Sequence, residues 1–278
     1  MNDASFRPDH CRRADAAEAA AFADMYAAAS GPFASAAGLR IEREAGATLL
    51  IAPGLPTPMF NRVIGFGTFE PATERSLDAL IARFRAAGVS RFWVTLSPAA
   101  QPASVPAWLE ARGFTPPPRR AWAQMRWDEG PPPAIATTLT VVEAHPEDAA
   151  ELGHAVATAF EMPSPMAGWL GGMVGRDGWQ AYAARREGRI VGGGFVYSLP
   201  PLAWLGMGSI LPGFRGDNGQ LALFSARIAH AQSEGCSFIH TETGEPVGDE
   251  PNPSLANMAR YGFRRVASRR NYAWAPPS

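Results

Sequence analysis

Two short patterns occur twice in this sequence, at nearly the same distance along the chain. In the first, an amphipathic helical segment ends at Gly88 and leads into a strand-like apolar run, and the same change occurs at Gly235. In the second, two helical segments end in the dipeptides Gly113-Phe114 and Gly262-Phe263. The offset is 147 residues for the first pair of glycines and 149 for the second. Two echoes at almost one register predict a duplicated fold, with each copy taking about half of the chain.

A proline-rich segment separates the two predicted copies. The run Gly130-Pro131-Pro132-Pro133 can continue neither a helix nor a central strand. A chain of 278 residues also suits two domains at roughly 150 residues each. We therefore predict a first domain over residues 1–130, a linker over 131–136 and a second domain over 137–278.

The first half contains both helical and strand patterns. Alanine-rich helical spacing covers 14–29, and an amphipathic helix covers 75–87 and is ended by Gly88. Alternation over 41–51 predicts a strand, and the apolar run 92–96 predicts a buried one.

The second half follows a longer mixed order, with a strand, two helices, three successive strands, a long helix, a strand, a short helix and a last strand. The predicted ranges, in that order, are 139–143, 146–160, 167–174, 179–185, 189–197, 203–211, 219–234, 236–243, 254–261 and 266–274. Together with the first half this predicts an α+β fold with a mixed sheet.

The charge composition excludes several classes of function. The formal net charge is −1, and all 25 basic residues are arginine. A balanced chain has no general attraction to nucleic acid or to anionic membranes, so neither is predicted as a partner. Without lysine, Schiff-base chemistry and lysine-containing phosphate loops are also excluded.

Cysteine usage and the N-terminal segment predict a soluble, cytoplasmic protein. The two cysteines, Cys11 and Cys236, cannot form a disulfide framework. Charged residues within the first twenty positions interrupt any signal-peptide core, and no apolar run is long enough to span a bilayer. No set of His, Cys, Asp and Glu has metal-ligand spacing, so no metal is predicted.

The segment 209–220 is the most informative for function. An apolar strand ends at Leu211, a glycine-rich loop follows, and a long helix begins near Gly219. Loop amides and a helix N-terminus together bind anions, and Arg215 can add a charge-assisted hydrogen bond. From composition alone, an ordinary strand-to-helix connection is the alternative, because neither common glycine-rich phosphate motif is present.

This segment resembles the pyrophosphate loop of the GNAT superfamily of acyl-CoA-dependent N-acyltransferases, which lies between a splayed strand and a long helix. The order of elements over about 137–274 is similar to that fold, and the segment 252–263 resembles its last helix, which ends in Gly-Phe. The first half keeps its Gly-Phe ending but has Gly65-Phe66-Gly67 where an arginine-rich loop is expected. The resemblance implies two tandem GNAT-like domains, of which the first is degenerate.

The resemblance implies acetyl-CoA as co-substrate and places the residues that bind it. These are Ser209, Ile210, Leu211, Arg215, Gly216, Asp217, Asn218, Gly219, Gln220, Asn252 and Asn257. Asn218 and Gln220 replace the glycines usual in the loop, although asparagine tolerates the left-handed backbone that such a loop needs.

The same resemblance implies an N-acetyltransferase that acylates a primary amine by direct transfer. A cleft should open between the strands 203–211 and 236–243, and a backbone amide near 209–211 should polarise the thioester carbonyl. Glu242 is the candidate general base, with Glu245 second. Many relatives use a tyrosine as general acid where this chain has Met258, so Tyr261 is the remaining candidate, with packing beside Phe263 as its alternative role.

Three interpretations stay open from the sequence. The first is a catalytic second domain that acylates a small-molecule or peptide amine, in a protein that could be a homodimer. The second is a non-catalytic acyl-CoA-binding or scaffolding module, which Met258 favours. The third keeps catalysis and makes the first half the acceptor-binding domain. The sequence does not identify the acceptor.

Overall fold

The computed structural model describes residues 7–55, 57–128 and 130–276, so the first six residues of the charged N-terminal segment lie outside the described part. The first half contains α1 (Pro8–Ala27), α2 (Gly31–Ala37), β1 (Arg40–Glu44), β2 (Ala47–Ile51), β3 (Arg62–Ile64), α3 (Glu74–Ala86), β4 (Phe92–Leu96), α4 (Val105–Ala111) and β5 (Ala121–Trp127). The second half contains β6 (Thr140–Glu143), α5 (Ala149–Ala159), α6 (Met166–Gly171), β7 (Trp179–Arg186), β8 (Arg189–Leu199), β9 (Leu202–Ile210), α7 (Gly219–Ser233), β10 (Phe238–Gly244), α8 (Pro253–Tyr261) and β11 (Arg264–Trp274).

Local sequence explains where the better-predicted helices begin and end. Thr73 caps α3 in a capping box with Ser76, and the buried face of α3 carries Leu77, Leu80 and Phe84. The glycines that end the repeated patterns all have positive φ. They follow α3 and α4 in the first half and α7 and α8 in the second.

The strand predicted over 41–51 is wrong as a single element. The chain forms the hairpin β1–β2, because Ala45 and Gly46 take φ values of 45° and 72° and reverse its direction. Two positive φ values in sequence are typical of the tight turns that join hairpin strands. The structure also contains α2, β3 and β5, which were not predicted as elements, and α4 is the helical segment expected before Gly113-Phe114.

All eleven strands of the described chain form one sheet in the order β1-β2-β3-β4-β11-β5-β10-β9-β8-β7-β6. Apart from β6, this order is symmetric about its centre. Counted outward from the centre, β11, β4, β3, β2 and β1 on one side correspond to β5, β10, β9, β8 and β7 on the other. Within each half one strand pair is parallel, β3 with β4 and β9 with β10. The sheet is therefore mixed, as predicted, and its two halves are related by an approximate two-fold axis between β11 and β5.

The strand registers obey the offset seen in the sequence. Trp274 on β11 pairs with Phe92 on β4, and Trp127 on β5 pairs with Ile239 on β10. Trp274 lies 147 positions after Trp127, and Ile239 lies 147 positions after Phe92. The same relation holds at four further pairs on each side, so the duplication extends to the hydrogen-bonded register.

The two halves exchange their last strands. β5 belongs to the first half but pairs with β10 of the second, while β11 of the second half pairs with β4 of the first. β5 and β11 pair with each other at the centre of the sheet. The linker 131–136 lies between β5 and β6 in the chain, and the boundaries placed around it stay a prediction.

Helices cover both faces of the sheet and enclose separate apolar clusters. On one face, α1 joins α5 and α6 in a cluster that includes Phe22 and Trp204. On the opposite face, α3 and α4 pack on the first half, and α7 and α8 pack on the second around Phe224 and Met258. Thus α1 of the first half packs against β9 of the second, so residues of both halves lie together at β9.

No helix within the described residues has the length and apolar character to cross a membrane.

Candidate functional site

A cleft opens where the parallel strands β9 and β10 diverge. Their pairing covers Phe238–Thr241 opposite Leu202–Leu205, and both strands continue beyond it. On its other side β9 bulges against β8, with Met207 at a φ of 52°. The resulting cleft has a volume of about 660 Å³ and is lined by β9, β10, the loop before α7, and the first turns of α7 and α8.

The loop at one end of the cleft has the backbone that anion binding requires. Gly216 has a φ of 93° and Asn218 one of 53°, so asparagine takes the left-handed conformation here and α7 begins at Gly219, as predicted. No side chain caps α7, and its first hydrogen bond runs from the Ala222 amide to the Asn218 carbonyl, 3.0 Å. The amides of Gly219, Gln220 and Leu221 precede that bond, and amides in this position are the ones that bind phosphate.

Two arginines add positive charge at this end. Arg215 is exposed and lines the cleft, and its Nε donates to the Ile210 carbonyl at 3.0 Å. Arg260 on α8 donates from Nη2 to Asn218 Oδ1 at 3.4 Å. Asp217 faces the linker side instead, where its Oδ2 accepts the Thr138 amide at 2.8 Å, and its hydrogen bonds with Thr138 lower its pKa.

Polar side chains connect the N-terminal turns of α7 and α8 across the cleft. Gln220 donates to Ser254 Oγ at 3.0 Å and accepts from Asn257 Nδ2 at 2.7 Å. Asn252 caps α8 by accepting the amides of Ser254 and Leu255. This bridge fixes the spacing of the two helices that flank the cleft.

The structure brings most of the predicted binding residues to this cleft. Those that line it are Ser209, Ile210, Arg215, Gly216, Asn218, Gly219, Gln220, Asn252 and Asn257. Leu211 and Asp217 are not among the lining residues. The Leu211 amide donates to the Val191 carbonyl at 2.9 Å, so it is not free to polarise a bound carbonyl.

Tyr261 lies outside the cleft. It is 7% exposed and packs between Trp127, Phe224 and Phe263. Its hydroxyl makes a 2.8 Å hydrogen bond with Ser225 Oγ, and burial raises its pKa. These contacts match the alternative packing role of Tyr261, whose hydroxyl is not placed in the cleft to act as a general acid. Met258, in the C-terminal half of α8, does line the cleft.

Glu242 lies at the deep end of the cleft, at the edge of a buried charge cluster. We define this cluster by its three carboxylates and two guanidiniums: Asp15, Glu18, Glu242, Arg62 and Arg269. Arg62 Nη2 lies 2.5 Å from Glu18 Oε1, and Arg269 Nη1 lies 2.5 Å from Glu18 Oε2 and 3.1 Å from Asp15 Oδ1. Glu242 pairs closely with Arg269 and, at 3.5 Å, with Arg62.

The charge balance of the cluster favours one proton on it. Burial and the neighbouring Glu18 raise the pKa of Glu242 to about 7, and the two arginines only partly oppose them. Burial acts the same way on Glu18, but Arg269 and Arg62 outweigh it and lower that pKa to about 2. The Glu242 side chain is 8% exposed, whereas those of Glu18 and both arginines are almost fully buried. Glu242 is therefore the most exposed member of the cluster, and it lines the cleft together with Arg62.

The first half of the chain also contributes residues to this cleft, and the sequence patterns did not predict them. Phe22, Met59, Arg62 and Trp122 all line the cleft, and Glu18 supports it from α1. A signal for α1 was present, because Asp15, Glu18 and Phe22 share one helical face with buried alanines. Nothing local in the sequence marks the three-residue strand β3, which carries Arg62.

Glu245, the second candidate base, is not part of the cleft lining. Its carboxylate pairs with Arg265, with Oε1 2.9 Å from Nη1. Within the described residues, no group of three or more His, Cys, Asp and Glu side chains is arranged to hold a metal ion.

Comparison with solved structures identifies the fold. A GCN5-related N-acetyltransferase from Kribbella flavida aligns with a TM-score of 0.63 at 14% identity, covering 96% of each chain. A GCN5-related N-acetyltransferase from Sphaerobacter thermophilus gives 0.60 at 18% identity, covering 98% of this chain and 95% of the other. A tandem GNAT protein from the clavulanic acid biosynthesis pathway gives 0.55 at 18% identity, covering 73% and 70%.

No protein-family model matches the sequence, and no match was found among curated proteins. The likeness is therefore structural, and it extends over almost the whole chain. This chain has the fold of the GCN5-related N-acetyltransferases, in the form of two tandem copies.

Proposed function

We propose that this protein transfers an acetyl or short acyl group directly from an acyl-CoA to a primary amine. The observation that carries the proposal is one continuous cleft that joins the anion-binding loop before α7 to the Glu242 carboxylate. The fold supports acyl transfer in general, and the donor, the amine and the roles of individual residues are the proposed part.

The residues at the loop end fit the phosphates of CoA. Three uncapped helix amides and the side chains of Arg215 and Arg260 converge there, and charge-assisted hydrogen bonds to phosphate are strong. From the loop, the cleft runs between the diverging strands, where an extended pantetheine arm can hydrogen-bond to strand edges.

Glu242 is the proposed general base. An amine attacks only as the neutral species, so its ammonium must lose a proton before the nitrogen–carbon bond forms. A carboxylate whose pKa is about 7 accepts that proton near neutral pH and releases it afterwards. Glu242 is buried, faces the cleft and is held by Arg269 and Arg62, which fixes its orientation.

The bulge of β9 supplies the proposed site for the thioester carbonyl. Gly206, Met207 and Gly208 line the cleft where β9 loses its regular pairing with β8. Bulges leave backbone groups without a ladder partner, and an amide in this position can stabilise negative charge on the carbonyl oxygen. This moves the proposed amide a few residues upstream of the range 209–211 expected from the sequence.

No tyrosine lies among the described residues that line this cleft, so none of them can protonate the departing thiolate as a phenol. Met258 cannot donate a proton, and Tyr261 is engaged with Ser225. We propose that water protonates the thiolate as the carbon–sulfur bond breaks. The second candidate function, a non-catalytic acyl-CoA-binding module, is favoured by the same observation.

Calorimetric titration with acetyl-CoA, followed by a free-thiol assay with a panel of primary amines, tests both candidates. Arg215→Ala should weaken acetyl-CoA binding about tenfold or more, because a charge-assisted hydrogen bond contributes roughly 1.5–3 kcal/mol. Arg83→Ala is the matched control, since Arg83 is exposed and pairs with Glu42 and Glu44 away from the cleft.

The two candidate functions predict different outcomes of these measurements. Absence of acetyl-CoA binding, or equal binding by the Arg215→Ala variant, contradicts the proposed donor site. Binding without thiol release from any amine supports the module. Gly219 should be left unchanged in such tests, because a Cβ there would lie 2.6 Å from Leu139 Cδ1 and would force that side chain to move.

A further inference from the structure

The cleft connects the two faces of the sheet, and the faces differ in chemistry. On the α7–α8 face its walls carry the loop and polar groups described above. On the α1 face the walls come from a different apolar cluster, with Phe22 and Trp204 as buried members and Met59 and Met207 packed against it. Phe160, which is 42% exposed, lies at the rim of the cleft after α5.

The described residues that line the cleft on the α1 face include two charged groups. Among the described residues that line the cleft there, Glu242 is the one carboxylate and Arg62 the one cation. Arg62 is 1% exposed, and its guanidinium lies 4.6 Å from the centre of the Phe22 ring. An acceptor on this face would thus meet one proton-accepting group, one fixed positive charge and several apolar side chains.

We infer that the acceptor is a primary monoamine on an aromatic or aliphatic apolar group, held on the α1 face with its nitrogen toward Glu242. This inference rests on the proposed function and specifies its acceptor. The apolar group would be removed from water by Phe22, Met59 and Trp204, which favours binding in proportion to the area buried. Both halves of the chain therefore build the acceptor site.

The same walls discriminate against amines with a second charge. A second ammonium would be desolvated without a carboxylate to pair with it, and Arg62 would repel it. Diamines, polyamines and amino sugars should therefore be poor acceptors, even though each contains a primary amine.

A matched pair of linear amines tests the inference. Hexylamine and 1,5-diaminopentane have the same chain length and differ in whether a methyl group or an amine ends the chain. With acetyl-CoA at a fixed pH and ionic strength, we expect kcat/KM for hexylamine to exceed that for the diamine by about tenfold or more. 2-Phenylethylamine should behave like hexylamine.

A change at the rim of the cleft checks that this face sets the preference. Phe160→Glu introduces a carboxylate at an exposed position and should raise the diamine-to-hexylamine ratio of kcat/KM several-fold. Phe69→Glu is the matched control, because Phe69 is 36% exposed in the first half and does not line the cleft. Its ratio should equal that of the unmodified protein.

Failure of the inference can be told from failure of the proposed function. Equal or faster turnover of the diamine overturns the inference and leaves the acyltransferase proposal standing. Acetyl-CoA binding with no turnover of either hexylamine or 2-phenylethylamine also overturns it. Absence of acetyl-CoA binding overturns the proposed function itself.

Discussion

The Glu242 carboxylate, on β10 of the second half, lies 3.5 Å from the guanidinium of Arg62, on β3 of the first half. Arg62 also pairs with Glu18 at 2.5 Å, so one buried arginine joins α1, β3 and β10. The candidate base is therefore positioned by both copies of the duplicated fold. This relation is a consequence of the shared sheet, in which the exchanged strands bring the two halves together.

Replacing Arg62 should affect stability and the pH dependence of activity together. Arg62→Met leaves Glu18 and Glu242 buried with Arg269 as their remaining cation, and breaking a buried pair typically costs about 3–5 kcal/mol. It also removes a charge that lowers the pKa of Glu242, so that pKa should rise further. Denaturant unfolding and a pH–rate profile measure the two effects.

The double variant Arg62→Met, Glu18→Leu is the control for this prediction. It removes the pair at 2.5 Å instead of one partner, and buried pairs replaced by apolar residues are often tolerated. It should be more stable than Arg62→Met alone. Equal stability of the single and double variants would contradict the prediction that Arg62→Met leaves an uncompensated charge on Glu18.

Glu242→Gln should abolish most activity and change its pH dependence. Loss of a general base typically lowers the rate about 10²- to 10⁴-fold. With the pKa of Glu242 at about 7, the ratio of the wild-type to variant rate should increase as the pH rises through 7 and then level off. A ratio that is constant between pH 6 and 8 would argue against Glu242 as the base.

The free energy of unfolding should depend on the same titration of Glu242, but it should decrease with rising pH where the activity ratio increases. The folded pKa of Glu242 is raised above its ordinary value of 4.5, so the folded state binds the proton more tightly than the unfolded state does. That contribution to stability is complete below about pH 4.5 and is lost as the pH rises through 7. The difference in free energy of unfolding between the wild type and Glu242→Gln should therefore fall over this range.

Two glycines beside a buried arginine give a prediction about packing. Arg227 on α7 is 1% exposed and lies against β8 and β9, where a Cβ on Gly194 would approach its Cζ to 2.9 Å. A Cβ on Gly208 would lie 2.7 Å from Nη2. Gly194→Ala should destabilise the fold by about 1–3 kcal/mol through overpacking.

Gly168→Ala is the matched control for that substitution. Gly168 lies in α6, its Cβ would meet no atom within 4 Å, and alanine favours helices. It should leave stability unchanged or raise it by up to about 1 kcal/mol. Equal thermal midpoints for the two variants would contradict the described position of Arg227.

How far the sequence predicts the structure depends on the range of the interactions. The helix start at Gly219 and the strand 92–96 depend on local signals, and both were predicted correctly. The pairing of β5 with β10 depends on contacts more than 100 residues apart, to which no local pattern points. The position of Arg62 follows from that pairing, so the residues of the first half at the cleft could not be derived from motifs.

The exchanged strands predict how the second half behaves alone. A fragment covering 137–278 loses β5 together with Trp127, which exposes the edge of β10 and the apolar cluster around Phe263. Exposed strand edges pair readily with other chains. Since β11 and β5 are related by the 147-residue offset, β11 of a second copy can take the place of β5 beside β10.

The fragment should therefore be a dimer in light scattering, while the full chain does not expose this edge. A peptide covering residues 119–128 supplies β5 and should convert the dimer to a monomeric complex, whereas a peptide with the same composition in scrambled order should not. A stable monomeric fragment that does not bind the β5 peptide would contradict the strand exchange.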